Sequence, residues 1–161
     1  LSNGVWYPSL RVQELHFAKD TPYETVLRRE ARAGEQVLAP EIAAVVRKVL
    51  VGVVEQGTAR RVYGAFVSPG GPPLAVGGKT GTGDNRYEVF NATGQLLQSR
   101  VVNRTATFAF MIGDRFFGVV TAYGAGQEAG GYKFTSALPV QVLKVLAPKL
   151  MPLVERAEGA G

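Results

Sequence analysis

Cysteine is absent from this 161-residue sequence, and histidine occurs once, at His16. The first absence excludes disulfides and thiolate metal ligands, and a single imidazole with no cysteine makes no metal site. Missing too is any run of about 18 apolar residues, so no stretch reads as membrane-spanning. No charged-then-apolar leader with a small-residue cleavage site opens the chain. Leu1 in place of Met sets the expectation of a piece cut from a longer protein. The sequence also lacks a concentrated charge of one sign. Its 18 Lys and Arg exceed its 13 Asp and Glu by a net +5. Residues 1–80 carry 10 basic and 7 acidic groups and residues 81–161 carry 8 and 6, an even spread. The tight basic clusters are 28–32 and Arg60-Arg61. A phosphate backbone demands a basic stripe, so nucleic acid is not an expected partner.

What is present is enough for a folded core. Hydrophobic residues make up 46% and charged residues 19%, which excludes the highly charged kind of disorder. Twenty glycines and nine prolines make roughly 18% together, below the roughly 25–30% of low-complexity chains. The length suits one domain.

Residues 10–17 alternate apolar and polar as a half-buried strand does. Residues 18–38, charged and broken by Pro22 and Gly34, read as turns with short strands. Pro40 then opens a helix to Glu55, with an acid near its start and Gly57 as its stop. The helical period predicts a core face of Ile42, Val45, Val46, Val49, Leu50 and Val53. Glycines and prolines make 64–78 an irregular connection into Lys79-Thr80-Gly81-Thr82. Tyr87–Phe90 and Gln95–Leu97, around Asn91–Gly94, read as a hairpin arm within 84–104. Thr105–Ile112 and Phe116–Tyr123 flank Gly113-Asp114-Arg115 as antiparallel neighbours. A glycine-rich loop, 124–131, leads to a last helix over 136–155, which Pro148 and Pro152 are expected to kink or shorten. The expected class is α+β, an antiparallel sheet with flanking helices.

Three glycine-rich stretches compete as sites. Gly78-Lys79-Thr80 lacks the phosphate loop's first glycine, because Pro73 stands there, and Gly81 and Gly83 break the helix that loop needs. Gly124 to Ala129 fits the dinucleotide pattern formally, but Gly130 and Gly131 interrupt its helix. The third is Lys79-Thr80-Gly81 as the K-T-G element of serine acyltransferases acting on penicillins and D-alanyl peptides.

The flanks carry that third reading. The chain resembles the transpeptidase domain of penicillin-binding proteins, most closely the bifunctional class A type. Leu1-Ser2-Asn3-Gly4-Val5-Trp6-Tyr7-Pro8 is similar to the family's Asn-Gly-Gly stretch. Val53-Val54-Glu55-Gln56-Gly57-Thr58-Ala59 is similar to its "V-V-x-x-G-T-A" helix end, and Ala75–Thr82 to its third motif. Gly130-Gly131 through Ala137-Leu138-Pro139 resembles the opening of its last helix.

The resemblance implies the C-terminal portion of the β-lactamase-like transpeptidase fold. It implies one partial domain over 1–161: outer strands at 1–39, a helical segment at 40–61, and the K-T-G strand, arm, strand hairpin and last helix at 74–156. Lys79 would sit as an ammonium near the nucleophile and the substrate carboxylate. Thr80 and Thr82 would offer hydroxyls to that carboxylate, and the Thr82 N–H would be an oxyanion donor. Gly81 would let a peptide backbone lie on the strand. The resemblance further implies no cofactor and no metal. Its partners are a peptidoglycan stem peptide and β-lactams, bound by the complete parent domain. That parent lies on the extracytoplasmic side, anchored in a membrane this segment does not touch. Against the family's pattern, no serine is followed three places on by lysine and no S-x-N occurs. An upstream part of the same protein is expected to supply the nucleophile, and this chain alone is expected to be inactive. A non-catalytic, ligand-binding or scaffolding relative in cell-wall assembly stays open, as does an unrelated α+β interaction domain. His16 reads as an ordinary surface or satisfied residue, Asp84 and Glu88 as structural, and Phe108, Phe110, Phe116 and Phe117 as core.

Overall fold

The computed structural model describes residues 2–30 and 32–159. They form two compact units, 1–46 and 47–161, with the division inside the first helix.

In the first unit β1 (Val5–Trp6) pairs antiparallel with β4 (Glu35–Gln36). The Gln36 side-chain amide donates to the carbonyls of Asn3, at 2.8 Å, and Leu38, while the Val37 and Leu38 N–H groups both reach the Gly4 carbonyl. A separate hairpin pairs β2 (Glu14–Phe17) with β3 (Thr25–Arg28). The expected half-buried strand over 10–17 is thus shortened to its last four residues, and all four are exposed. The alternation is real, but a two-stranded ribbon has no layer behind it to bury Leu15 and Phe17. Among the described residues of this unit only Gly4 and Ala43 are buried.

Helix α1 (Pro40–Glu55) begins and ends as its sequence signals require. Its expected core face is corrected. Ile42, Val45, Val46 and Val49 are exposed, while Ala43 and Val54 are buried and Val53 packs partly against the core. The hydrophobic period identified the helix, but which stripe is covered depends on neighbours far away in sequence.

The second unit is built on one antiparallel sheet of order β5-β6-β7. Strand β5 (Val76–Phe90) and strand β6 (Leu96–Ile112) form a single long hairpin. The expected hairpin arm is present, with Tyr87–Phe90 paired antiparallel to Leu96–Arg100. It is the outer end of the same ladder, past a register shift at Asn85/Arg86. At its tip Asn91 Oδ1 accepts from the N–H groups of Thr93, at 3.0 Å, and Gln95, at 2.8 Å, and Gly94 takes φ +83°. That is the side-chain-mimicked turn Asn favours, with glycine where φ is positive. Strand β7 (Phe116–Ala125) follows the turn at Gly113-Asp114-Arg115. Arg47 of α1 donates to the Gly113 carbonyl at 2.5 Å and pairs with Asp114.

Alternation sends Val76, Phe108, Phe110, Ile112, Phe116 and Val120 to one sheet face. Val140, Leu143, Ala147, Met151 and Val154 of α2 (Ala137–Gly159) meet them there, with Val62 and Phe66 closing the core. The expected shortening of α2 is corrected, since the helix continues past Pro148 and Pro152 to Gly159. Both prolines lie on its exposed side. The carbonyls they orphan, those of Lys144 and Pro148, can therefore be hydrated. Ala137–Arg156 has the length and mean hydropathy, 1.4, of a membrane span, and one of its faces lies in this core. The fold is α+β, with antiparallel sheets and, among the described residues, two α-helices.

Candidate functional site

Strand β5 carries Lys79-Thr80-Gly81-Thr82 at an edge of the three-stranded sheet, paired on one side with Ala109, Phe108, Thr107 and Ala106. Half of an edge strand's backbone groups face away from its partner. The four glycines of this strand divide into two kinds. A Cβ on Gly77 would stand 2.6 Å from Met111 Cε and 3.0 Å from the Leu50 carbonyl carbon. A Cβ on Gly78 would run into the Ala109 carbonyl oxygen and reach 2.6 Å from Phe108 Cε2. Packing therefore demands these two. Gly81 and Gly83 have nothing within 4 Å of the same position, and neither has a positive φ. Neither space nor backbone conformation requires glycine there, although glycine weakens a strand interior. They leave bare backbone facing open space.

Each side chain of the motif has a definite partner. Lys79 is exposed, and its Nζ donates to the Thr80 carbonyl at 2.6 Å. Thr80 is 8% exposed, and its hydroxyl pairs with the Thr58 hydroxyl at 2.9 Å. Thr82 Oγ1 accepts from the Ser136 N–H at 2.9 Å, tying β5 to the residue before α2. Two positions on, Asp84 pairs with Arg104 at 2.9 Å. The Arg104 Nε donates to the Phe134 carbonyl at 2.8 Å, and its guanidinium lies 5.8 Å from the Phe134 ring centre. Both ends of the open Gly81–Gly83 stretch are thus tied to the body of the unit.

Thr58 entered the sequence argument only as part of a motif, and Ser136 and Arg104 not as site residues at all. Thr58 lies 22 positions from Thr80, and no local pattern pairs them. Thr58 is fixed by the tight turn after α1. A Cβ on Gly57 would press on the Val53 carbonyl at 2.9 Å, the Ala59 N–H reaches that carbonyl, and Ala59 is fully buried.

His16, in the first unit, is held between two carboxylates. Its Nδ1 is 2.5 Å from Glu24, its Nε2 contacts Glu14, and Glu14 also pairs with Arg28 at 3.0 Å. The hydrogen bond to Glu24 raises the His16 pKa above its ordinary range, and the one to Glu14 adds to this. In return, the His16 bond pulls the Glu14 pKa down, aided by the Arg28 charge. Asp84 and Glu88 are not a carboxylate pair, since Asp84 serves Arg104 and Glu88 accepts from Ser99.

Chemically, the K-T-G-T stretch offers an ammonium, a set of hydroxyls and an unpaired strand edge beside two unobstructed glycines. These suit an extended, carboxylate-ended chain laid along β5. Comparison with models of known protein families and with curated proteins yielded no match.

Proposed function

We propose that this chain is the C-terminal part of the transpeptidase domain of a penicillin-binding protein, contributing the wall that holds the donor peptide. The observation that carries the reading is the pair of strand glycines, Gly81 and Gly83, with open space where their Cβ atoms would be. They follow an exposed lysine on an edge strand. A strand that forgoes side chains without any packing reason is suited to a ligand backbone approaching closely.

In this reading a stem peptide ending in D-Ala-D-Ala adds along β5. Lys79 balances its terminal carboxylate, and the threonine hydroxyls orient it. A serine outside these 161 residues attacks the penultimate carbonyl. The Thr82 N–H, as one of two oxyanion donors, stabilises the charge that develops on that oxygen. The terminal D-alanine leaves as its amine takes up the serine's proton. An amine of a second strand then attacks the acyl-serine, taking the acyl group as the ester bond breaks and the serine regains a proton. A β-lactam opens its ring amide on the same serine and leaves no departing group. The parent acts on the extracytoplasmic side, where this polymer is built, and is anchored in a membrane.

The test is fluorescent penicillin on the longer protein that contains these residues. Covalent labelling, blocked by prior serine modification and slowed at least tenfold by Lys79→Ala but not by His16→Gln, supports the reading. Absence of label on the folded parent, or equal slowing by both substitutions, overturns it. The 161-residue chain alone should show no stable mass increase with penicillin.

A further inference from the structure

We infer that Thr58 is a carboxylate-binding residue of this site, the hydroxyl that meets the ligand, with the buried Thr80 hydroxyl behind it as its orienting partner. The inference rests on the transpeptidase reading and extends it to a residue outside the K-T-G strand.

Two hydroxyls 2.9 Å apart share one hydrogen bond and keep one proton free. Thr58 is exposed, and Thr80 is 8% exposed. If Thr58 donated, the Thr80 proton would be left over in a buried place, where an unmet donor is costly. If Thr80 donates, its proton is used and the Thr58 O–H is released toward the open side. The second arrangement satisfies the buried group. It also strengthens the outward donor, because a hydroxyl that accepts a bond donates a better one.

The position of Thr58 is set before any ligand arrives. The turn leaves no room for a Cβ on Gly57, which would meet the Val53 carbonyl at 2.9 Å, and Ala59 and Val62 after it are fully buried. A donor on such a turn loses little freedom on binding. Thr80, in contrast, has its hydroxyl turned toward Thr58, so its contribution passes through that contact. Thr82 is occupied as acceptor for Ser136, which leaves its own proton available beside Gly81 and Gly83. The carboxylate therefore meets one hydroxyl from the turn after α1 and one from β5.

The experiment compares second-order acylation rates of the intact parent protein by a fluorescent penicillin and by its methyl ester, which lacks the charged carboxylate. Wild type should prefer the free acid. Thr58→Val should cut that preference by about tenfold, the loss expected for one hydrogen bond to a charged group. Thr58→Ser, which keeps the hydroxyl, should hold it within about twofold of wild type on the same scale. Thr58→Ala carries the same expectation as valine and serves if the valine variant does not fold. Equal slowing of both probes in the hydroxyl-less variants assigns Thr58 a structural role and overturns the inference, as does an unchanged preference. Wild-type protein that takes no label at all overturns the transpeptidase reading itself, an outcome separate from a labelled protein indifferent to Thr58.

Discussion

Thr82 and Ser136 lie 54 positions apart in sequence, yet Thr82 Oγ1 accepts the Ser136 N–H at 2.9 Å. That N–H precedes the first turn of α2, where backbone donors have no partner within the helix. A strand hydroxyl here does what a capping side chain does from within its own segment. Thr82→Val should therefore lower stability by about 1 kcal/mol. Thr82→Ser should restore most of it. Urea unfolding of the chain checks both, and an unchanged midpoint for the valine variant rejects the cap.

The glycine pairs of β5 give opposite expectations. Gly78→Ala drives a methyl into the Ala109 carbonyl and Phe108 and should cost about 1–3 kcal/mol. Gly81→Ala meets no atom within 4 Å, and it removes the flexibility glycine gives the unfolded chain. It should be neutral or stabilising by up to about 1 kcal/mol. On the proposed transpeptidase reading, the same substitution in the parent protein should slow penicillin acylation, because the added methyl would stand in the open space proposed for the ligand backbone. A Gly81→Ala variant both more stable and less reactive is the signature of a functional glycine. Loss of stability at this position would count against it.

Arg104 and Asp84 separate an ion pair from the network around it. Asp84→Asn removes one charge from a pair whose side chains are 20% and 28% exposed, worth about 0–1 kcal/mol. Arg104→Ala also frees the Phe134 carbonyl and strips the cation from that ring. It should cost about 2 kcal/mol, the range of hydrogen bonds to charged groups. Equal losses in thermal unfolding would mean that the Phe134 contacts contribute nothing.

The elements that could be read from the sequence are those whose own residues decide them. The start of α1 at Pro40 and the β6–β7 turn at Gly113-Asp114-Arg115 depend on local conformational preference. The alternating run from Thr105 to Ile112 likewise carries its strand in its own pattern. What could not be read was set by distant partners. Ile42, Val45 and Val49 have the spacing of a core face but are exposed, because periodicity says which residues share a stripe and not what covers it. Pro148 and Pro152 signalled a kinked or shortened helix, but α2 runs on to Gly159, with both prolines on its solvent side, where the carbonyls they orphan can be hydrated. At the site, Lys79 through Thr82 stood out as a motif, whereas the hydroxyl of Thr58 and the N–H of Ser136 became visible only with the fold. The distinction between packing glycines and open ones is equally non-local, since Gly78 and Gly81 are alike until Phe108 and Ala109 are placed beside them.

The last prediction concerns His16. An imidazole with a carboxylate at each nitrogen donates to both only as the cation. Its pKa is raised by Glu24 and then Glu14. The stabilisation it gives the β2–β3 hairpin is therefore complete below its ordinary value of 6.5 and lost as pH rises through the folded pKa. Glu14 has the opposite sign. Its pKa is lowered by the His16 bond, so its contribution is complete above its ordinary value of 4.5 and lost as pH falls through the folded pKa. Both contributions coexist between 4.5 and 6.5, and the hairpin should be most protected there. NMR titration of the His16 ring protons should place its midpoint above 6.5, and Glu24→Gln should lower that midpoint. Glu14→Gln should lower it too, since Glu14 raises the His16 pKa through both a hydrogen bond and its charge. Amide exchange across Leu15–Leu27 should quicken on both sides of the window. A midpoint at or below the ordinary value, unmoved by Glu24→Gln, would show that the two carboxylates do not hold the imidazolium.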